Sequence, residues 1–384
     1  MSFHDGQSPR HTTSTFTVRH IKCTLHAYHP SGPTLGIVVL FHGLNAHGTF
    51  PSIRYPAIYL ASIGYKVFVL DLPGHGRCPT GRWSQPIYFK SAEFAVYDAC
   101  CVAQMAAREA AFAGQRFYLG GSSMGGALAL LVAERHYRPG YDRAKGNFLA
   151  SNPSGIVLLT PMLSLGKLPW NLTRNFLNAA VSSGAGKWAA IPAPYPQGRD
   201  NPKLRRCLPD EARRNECDDD PHVYRGNYMK LGTAKCILDL VDLCAKAIYG
   251  SNWKKHRMDS NDSNVLQKVQ KVGIICGSSY DDDDDKPFNS PADAISCPIL
   301  CCISSRDETI SNNGATALCE ASGKFGGALC RKFNNRTLIS YSSVHNIFCD
   351  VEVVRRKVEN DMMRWFESTQ KIPVNLKDTA EAPV

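Results

Sequence analysis

The chain alternates between short unbroken apolar runs and longer stretches of helical periodicity. Gly36-Ile-Val-Val-Leu-Phe41 and Tyr65-Lys-Val-Phe-Val-Leu-Asp71 are apolar at nearly every position and are stopped by His42-Gly43 and Pro73-Gly74. Runs of this kind belong to strands covered on both faces, as in a parallel sheet. Between them, Tyr55 to Ser62 reads as a short helix. Helix formers at helical spacing then fill Ala92 to Ala113, followed by a strand over Arg116 to Leu119, a helix over Gly125 to His136 and a strand over Gly155 to Thr160. Strand-helix alternation calls for a doubly wound α/β sheet. Ahead of it, Thr15 to Tyr28 is rich in Thr, Val and Ile and predicts edge strands, and the polar residues 1–14 predict a frayed tail.

The alternation stops after Pro161. Residues 164–249, with Trp170, Phe176, Leu177, Trp188, several prolines and a helical run from Leu231 to Ile248, predict an inserted cap. Residues 250–292 turn polar and include Asp281 to Asp285, which predicts a solvated, mobile loop. The sheet resumes with a strand over Pro298 to Ser304, a helix over Ala315 to Ser322, a strand over Thr337 to Tyr341 and a helix over Val351 to Phe366. The expected organisation is therefore a core over 15–163 and 293–370, interrupted by the cap and the acidic insertion, with a tail from 371 to 384.

Composition narrows the function classes. With 43% apolar and 20% charged residues among 384, the chain can bury a sizeable core. Its net charge of +10 is spread in short pairs such as Arg205-Arg206 and Lys254-Lys255, with no basic helix interleaved with aromatics. That excludes sequence-specific nucleic-acid binding and leaves attraction to anionic membranes open. The 15 cysteines are odd in number and often sit in apolar runs, so they read as reduced core thiols. The start lacks an apolar leader segment, and no window approaches the roughly 18 apolar residues of a membrane span, so the cytosol is the expected compartment. The sequons at Asn171, Asn261 and Asn335 are discounted on the same ground. No Cys-x-x-Cys pairs, His-Glu-x-x-His, dinucleotide fingerprint or phosphate loop occurs, so neither a metal nor a cofactor is expected.

The chemistry concentrates at Gly121-Ser122-Ser123-Met124-Gly125, where a predicted strand runs straight into a predicted helix. Gly-x-Ser-x-Gly in that context is a nucleophile elbow, whose sharp turn leaves no room for a β-carbon two residues either side of the serine. Ser123 is thus the candidate nucleophile; the same frame around Ser122 would put Met124 where a small residue is needed. A serine hydroxyl needs an adjacent base, and the base a carboxylate, in the chain order Ser, Asp/Glu, His. Asp307 follows the strand over Pro298 to Ser304, and His345 follows the last strand and precedes the last helix. Glu308 and Asp350 compete for the acid, whereas His42, His75 and His222 fall at the wrong places in the topology for the base. Two backbone donors should hold the oxyanion: the amide of Met124, and that of Leu44, with Gly43 letting the backbone turn. Leu165, Leu168, Trp170, Phe176 and Leu177 would line an acyl channel or serve as core of the cap.

His42-Gly43, Asp71-x-Pro73-Gly74-His75-Gly76-Arg77, Gly121-x-Ser123-Met124-Gly125-Gly126, Thr160-Pro161-Met162, Asp220-Pro221-x-x-Tyr224-x-Gly226 and the Asp307/His345 pair together resemble the monoacylglycerol lipase-like α/β-hydrolases, over roughly residues 15 to 368. The resemblance implies an α/β-hydrolase fold, a mostly parallel sheet flanked by helices with an inserted lid. It also implies hydrolysis of an ester joining one acyl chain to glycerol or a similar head group. The chain departs from the animal lipases at Asn45-Ala46-His47, where they carry Gly-Glu-His, and in the stretch 250–292. A general carboxylesterase or lysophospholipase would use the same triad, an acyltransferase would pass the acyl group to an alcohol, and a non-catalytic scaffold would have no need of all three residues. Peripheral membrane contact through the cap is a further expectation from charge and apolar content.

Overall fold

A computed structural model describes residues 8–78, 87–137, 149–165, 170–192, 208–250, 253, 295–324 and 336–372. The acidic stretch therefore lies almost wholly outside the described residues, as do Leu168, the first seven residues and residues 373–384. The core strands are β1 (Arg10–Val18), β2 (Ile21–His29), β3 (Gly36–Phe41), β4 (Tyr65–Leu70), β5 (Arg116–Ser122), β6 (Gly155–Leu159), β9 (Ile299–Ser304) and β10 (Arg336–Tyr341). They form one sheet in the order β1-β2-β4-β3-β5-β6-β9-β10, antiparallel at the β1/β2/β4 edge and parallel elsewhere. Helices α1 (Pro51–Ser62), α2 (Ala92–Phe112), α3 (Met124–Tyr137), α7 (Asn313–Lys324) and α8 (Glu352–Gln370) connect or close it.

Burial on both faces follows directly from the apolar runs. In β3, Ile37, Val39 and Phe41 enter one core with α2 and α3, while Val38 and Leu40 enter the other with Ile53 and Leu60 of α1 and Met362 and Phe366 of α8. The same alternation runs through β5, β6 and β9, because successive side chains of a strand point to opposite faces. From β3 the chain moves to β4 on one side and then to β5 on the other, so the carboxyl ends of β3 and β5 flank the point where strand order reverses. Open α/β sheets bind their ligands in that crevice.

Two boundaries differ from the expectation. The N-terminal tail is shorter than residues 1–14, because β1 already pairs at Arg10 with His29. His11 stacks on Tyr28 with ring centroids 4.6 Å apart, which gives this polar strand an anchor that apolar patterning does not reveal. Between β6 and β9 lie α4 (Trp170–Ser182), β7 (Ala189–Pro192), α5 (Glu211–Asp219), β8 (Tyr228–Lys230) and α6 (Leu231–Tyr249). Of these, α6 packs along α3 and buries Ile237, Leu240, Val241 and Cys244 in the main core. This last part of the stretch drawn as cap therefore belongs to the helical layer of the core.

Among the described residues no helix is long and apolar enough to cross a membrane, and no group of His, Cys, Asp and Glu side chains could hold a metal ion. The described cysteines are free thiols, most of them buried.

Candidate active site

Ser123 sits between β5 and α3 with φ at +54°, a left-handed conformation that costs about 1–2 kcal/mol for a residue with a β-carbon. Four backbone bonds hold it there: Ser123 N–H donates to Leu159 C=O (3.0 Å), and Ser123 C=O accepts from Gly126 N–H (3.0 Å), Ala127 N–H (3.3 Å) and Met162 N–H (2.9 Å). The flanking glycines are dictated by contact. A β-carbon on Gly121 would lie 2.2 Å from the Gly125 carbonyl oxygen, and one on Gly125 would lie 1.9 Å from that of Phe41.

His345 Nδ1–H donates to Asp307 Oδ2 at 2.7 Å, with both side chains essentially shut off from solvent (2% and 0% exposed). The other carboxylate oxygen, Oδ1, accepts from Thr309 N–H (2.8 Å) and Ile310 N–H (3.0 Å), so Asp307 is fixed from both ends. The His345 carbonyl accepts from Thr160 Oγ1 at 2.7 Å. Thr160 follows β6 in a left-handed conformation (φ +42°), and the preceding residue, Leu159, accepts the Ser123 amide. This chain of contacts ties the His345 backbone to the same end of β6 that holds Ser123. Donation from Nδ1 leaves the proton-accepting lone pair on Nε2, which is buried and has no protein partner. Asp350 is buried too but is occupied elsewhere: it accepts from Ser343 Oγ (2.6 Å) and Val344 N–H (3.2 Å) and shapes the loop ahead of His345.

The Met124 amide opens α3 and is among the donors a helix N-terminus leaves unpaired. Across from it, the turn after β3 comes close enough that a β-carbon on Gly43 would lie 3.3 Å from Ser123 Cβ. The expected reason for Gly43 needs correction, however. Its φ is not in the left-handed range, and the left-handed residue of this turn is Asn45 (φ +57°). Gly43 is small because its own backbone runs against Ser123 and the Ser122 carbonyl, and the turning falls to an asparagine, a residue that tolerates that conformation.

Two buried side chains support the turns beside the elbow: His42, whose role escaped the sequence reading, and Asp71, which the sequence reads as organising the Pro73-Gly74 turn. His42 accepts from Leu72 N–H at Nε2 (3.0 Å), so its Nδ1–H donates to Gly43 C=O (2.8 Å) and props the turn as a neutral imidazole. Asp71 accepts from Gly48 N–H (2.7 Å), Arg77 N–H (2.9 Å) and His26 (3.0 Å). Burial works against its charge, yet the bonds from His26 and the two amides hold its carboxyl well below the usual carboxylate range. The sequence pattern Asp-x-Pro-Gly-His-Gly was the available signal for this role.

Burial pushes His42 down to about 4 and His75 to about 3. The unfolded chain takes up a proton on each near 6.5, whereas the folded protein accepts them only at those lower values. The unfolded state thus binds more protons across this window, and stability is lost as the pH falls from 6.5. Between pH 6.5 and 5 the loss should be on the order of 2 kcal/mol per histidine, at about 1.4 kcal/mol per pH unit. Denaturant midpoints at pH 7 and pH 5 measure it; equal midpoints would contradict neutral burial of the pair.

Of the five apolar residues expected at an acyl channel or in the core of the cap, Leu168 lies outside the described residues, and the three with described side chains do not face one channel. Leu177 is core, Leu165 packs against the same core, and Phe176 is 59% exposed. On α4, which packs against α6, Leu177 faces inward, so its neighbour, about 100° around the helix, faces out. Trp170 contributes its backbone to α4, and its side chain lies outside the description.

A search among curated proteins found no match. Among solved structures, a soluble variant of monoglyceride lipase from Saccharomyces cerevisiae in complex with a substrate analogue is similar at 18% identity and a TM-score of 0.61, covering 95% of this chain and 97% of that one. A monoacylglycerol lipase from Paleococcus ferrophilus is similar at 17% identity (TM-score 0.57, 90% and 99% covered), and a carboxyl esterase from Bacillus coagulans in complex with glycerol at 15% (TM-score 0.61, 94% and 98% covered). At such identities the likeness establishes the fold, an α/β-hydrolase. The family match goes further: residues 32–249, more than half of the chain and inclusive of the elbow, fit the Hydrolase_4 description, "Serine aminopeptidase, S33", and the chain belongs to that family of serine hydrolases.

Proposed function

We propose that this protein hydrolyses carboxylic esters of monoacyl lipids, with monoacylglycerol as the leading substrate, through an acyl-enzyme on Ser123. The observation that carries the reading is the buried His345–Asp307 bond beside the elbow, with Nε2 left to accept a proton. His345 Nε2 takes the Ser123 proton as Oγ attacks the ester carbonyl, and the Leu44 and Met124 amides hold the resulting oxyanion. His345 returns the proton to the departing alcohol, then activates water for attack on the acyl-enzyme. Asp307 fixes the tautomer and stabilises the imidazolium, and no metal or cofactor enters these steps.

Fatty-acid release from 1-monoacylglycerols of graded chain length tests the lipid assignment, with lysophosphatidylcholine and a short aryl ester as comparators. Preference for long-chain monoacylglycerol supports it. Turnover of the aryl ester alone would make the protein a general carboxylesterase, preference for the lysolipid a lysophospholipase, and capture of the acyl group by an added alcohol a transferase.

Peripheral membrane contact from a cytosolic location is part of the proposal. Phe176, Trp188 and Tyr228 in the segment between β6 and β9 are 59%, 69% and 52% exposed, and aromatic side chains of this kind suit an interfacial membrane surface. Sedimentation with anionic vesicles should carry the protein down, and Trp188→Ala should weaken it; protein left wholly in the supernatant would sink the idea.

A further inference from the structure

The turn carrying Leu44 is fastened to a distant part of the chain. Asn45 uses both ends of its amide on one residue: Nδ2–H donates to Tyr224 C=O (2.9 Å), and Oδ1 accepts from Tyr224 N–H (2.8 Å). Two residues on, His47 Nε2 meets Asp220 Oδ2 at 2.8 Å. The segment so gripped, residues 208–224, is held on its other side to the loop after His345. There Arg213 donates to Phe348 C=O, and just beyond that loop Arg355, in the first turn of α8, donates to Asp210 Oδ2 (2.8 Å). One strap thus touches both the turn expected to donate to the oxyanion and the loop that follows the base.

We propose that Asn45 is a positioning residue for the ester hydrolysis proposed above. Its side chain supplies two things from one position: a backbone that accepts a left-handed conformation, and a two-point bond to Tyr224 that sets the direction of the Leu44 amide. An unclamped turn could keep the same fold and still aim this donor off the oxyanion. Misplacement by about 1 Å is enough to cost on the order of 10²-fold in rate, and loss of a donor outright costs about 10²–10³.

Asn45→Gly separates the clamp from the strain, since glycine adopts φ near +57° freely. We expect kcat on a short aryl ester to fall about 10- to 100-fold with KM within about threefold of wild type, because a donor to the developing oxyanion acts in the transition state. Affinity for a trifluoromethyl ketone, which mimics the tetrahedral adduct, should fall by the same factor as kcat/KM. Asn45→Asp keeps an acceptor for Tyr224 N–H while setting a carboxylate against Tyr224 C=O, and should fall between the two. A merely structural role would lower the melting temperature of Asn45→Gly and leave kcat and ketone affinity unchanged, which would overturn the proposal. Failure of a fluorophosphonate to label Ser123 in the wild type is a different result: it would remove the hydrolase mechanism itself, and this proposal with it.

Discussion

Replacing Ser123 with alanine is expected to cut ester turnover by about 10⁴ to 10⁶, the range seen when a triad nucleophile is removed. The fold should survive, because the backbone bonds with Leu159, Gly126, Ala127 and Met162 do not involve the hydroxyl. Alanine keeps the β-carbon, and hence the same strain at φ +54°, so the melting temperature should stay within a few degrees. The residual rate should come from the Leu44 and Met124 amides acting on water-driven hydrolysis. Turnover equal to wild type on both monoacylglycerol and aryl ester would remove Ser123 from the chemistry, whatever the geometry around it.

The second large effect is expected at Gly125. An added β-carbon would lie 1.9 Å from Phe41 O, 2.4 Å from Phe41 C and 2.8 Å from His42 O. All three atoms are backbone of β3 and the turn beyond it, and β3 is locked between β4 and β5 in the middle of the sheet. No flexible side chain is available to yield, so Gly125→Ala must push the strand and the helix apart. A cost above the ~1–3 kcal/mol typical of overpacking is expected, together with loss of activity as the Leu44 turn leaves Ser123. Gly32→Ala is the control, since nothing lies within 4 Å of its added carbon. Chemical denaturation of the two variants decides: similar midpoints would mean that the elbow is softer than its contacts imply.

The parallel sheet was readable in the chain because burial on both faces leaves a continuous apolar run, and β3, β4 and β6 carry one. Ser123 was readable for a steric reason, since the elbow admits only glycine at 121 and 125, and Asp307 and His345 were found by their place after particular strands. The Asn45–Tyr224 clamp was not readable. Its partners lie 179 residues apart, and one of them contributes only backbone atoms, which leave no mark on residue type. The start of β1 was missed because a Thr/Ser edge strand with little apolar alternation resembles a polar tail. Phe176 and Leu177 were indistinguishable by composition, and only the seating of α4 on α6 sends one outward and the other in.

The strap over residues 208–224 bears on how this enzyme can be rebuilt. A lid that merely roofs a pocket can be exchanged between relatives as a cassette, carrying its preference with it. Here the inserted segment supplies partners to Asn45, His47, Arg355 and the Phe348 carbonyl. A chimera that imports a foreign insertion would strand those groups, two of which sit on the turn beside the nucleophile. On the proposed role of Asn45, a transplant of the insertion must bring matching residues at 45 and 47 to keep catalytic competence.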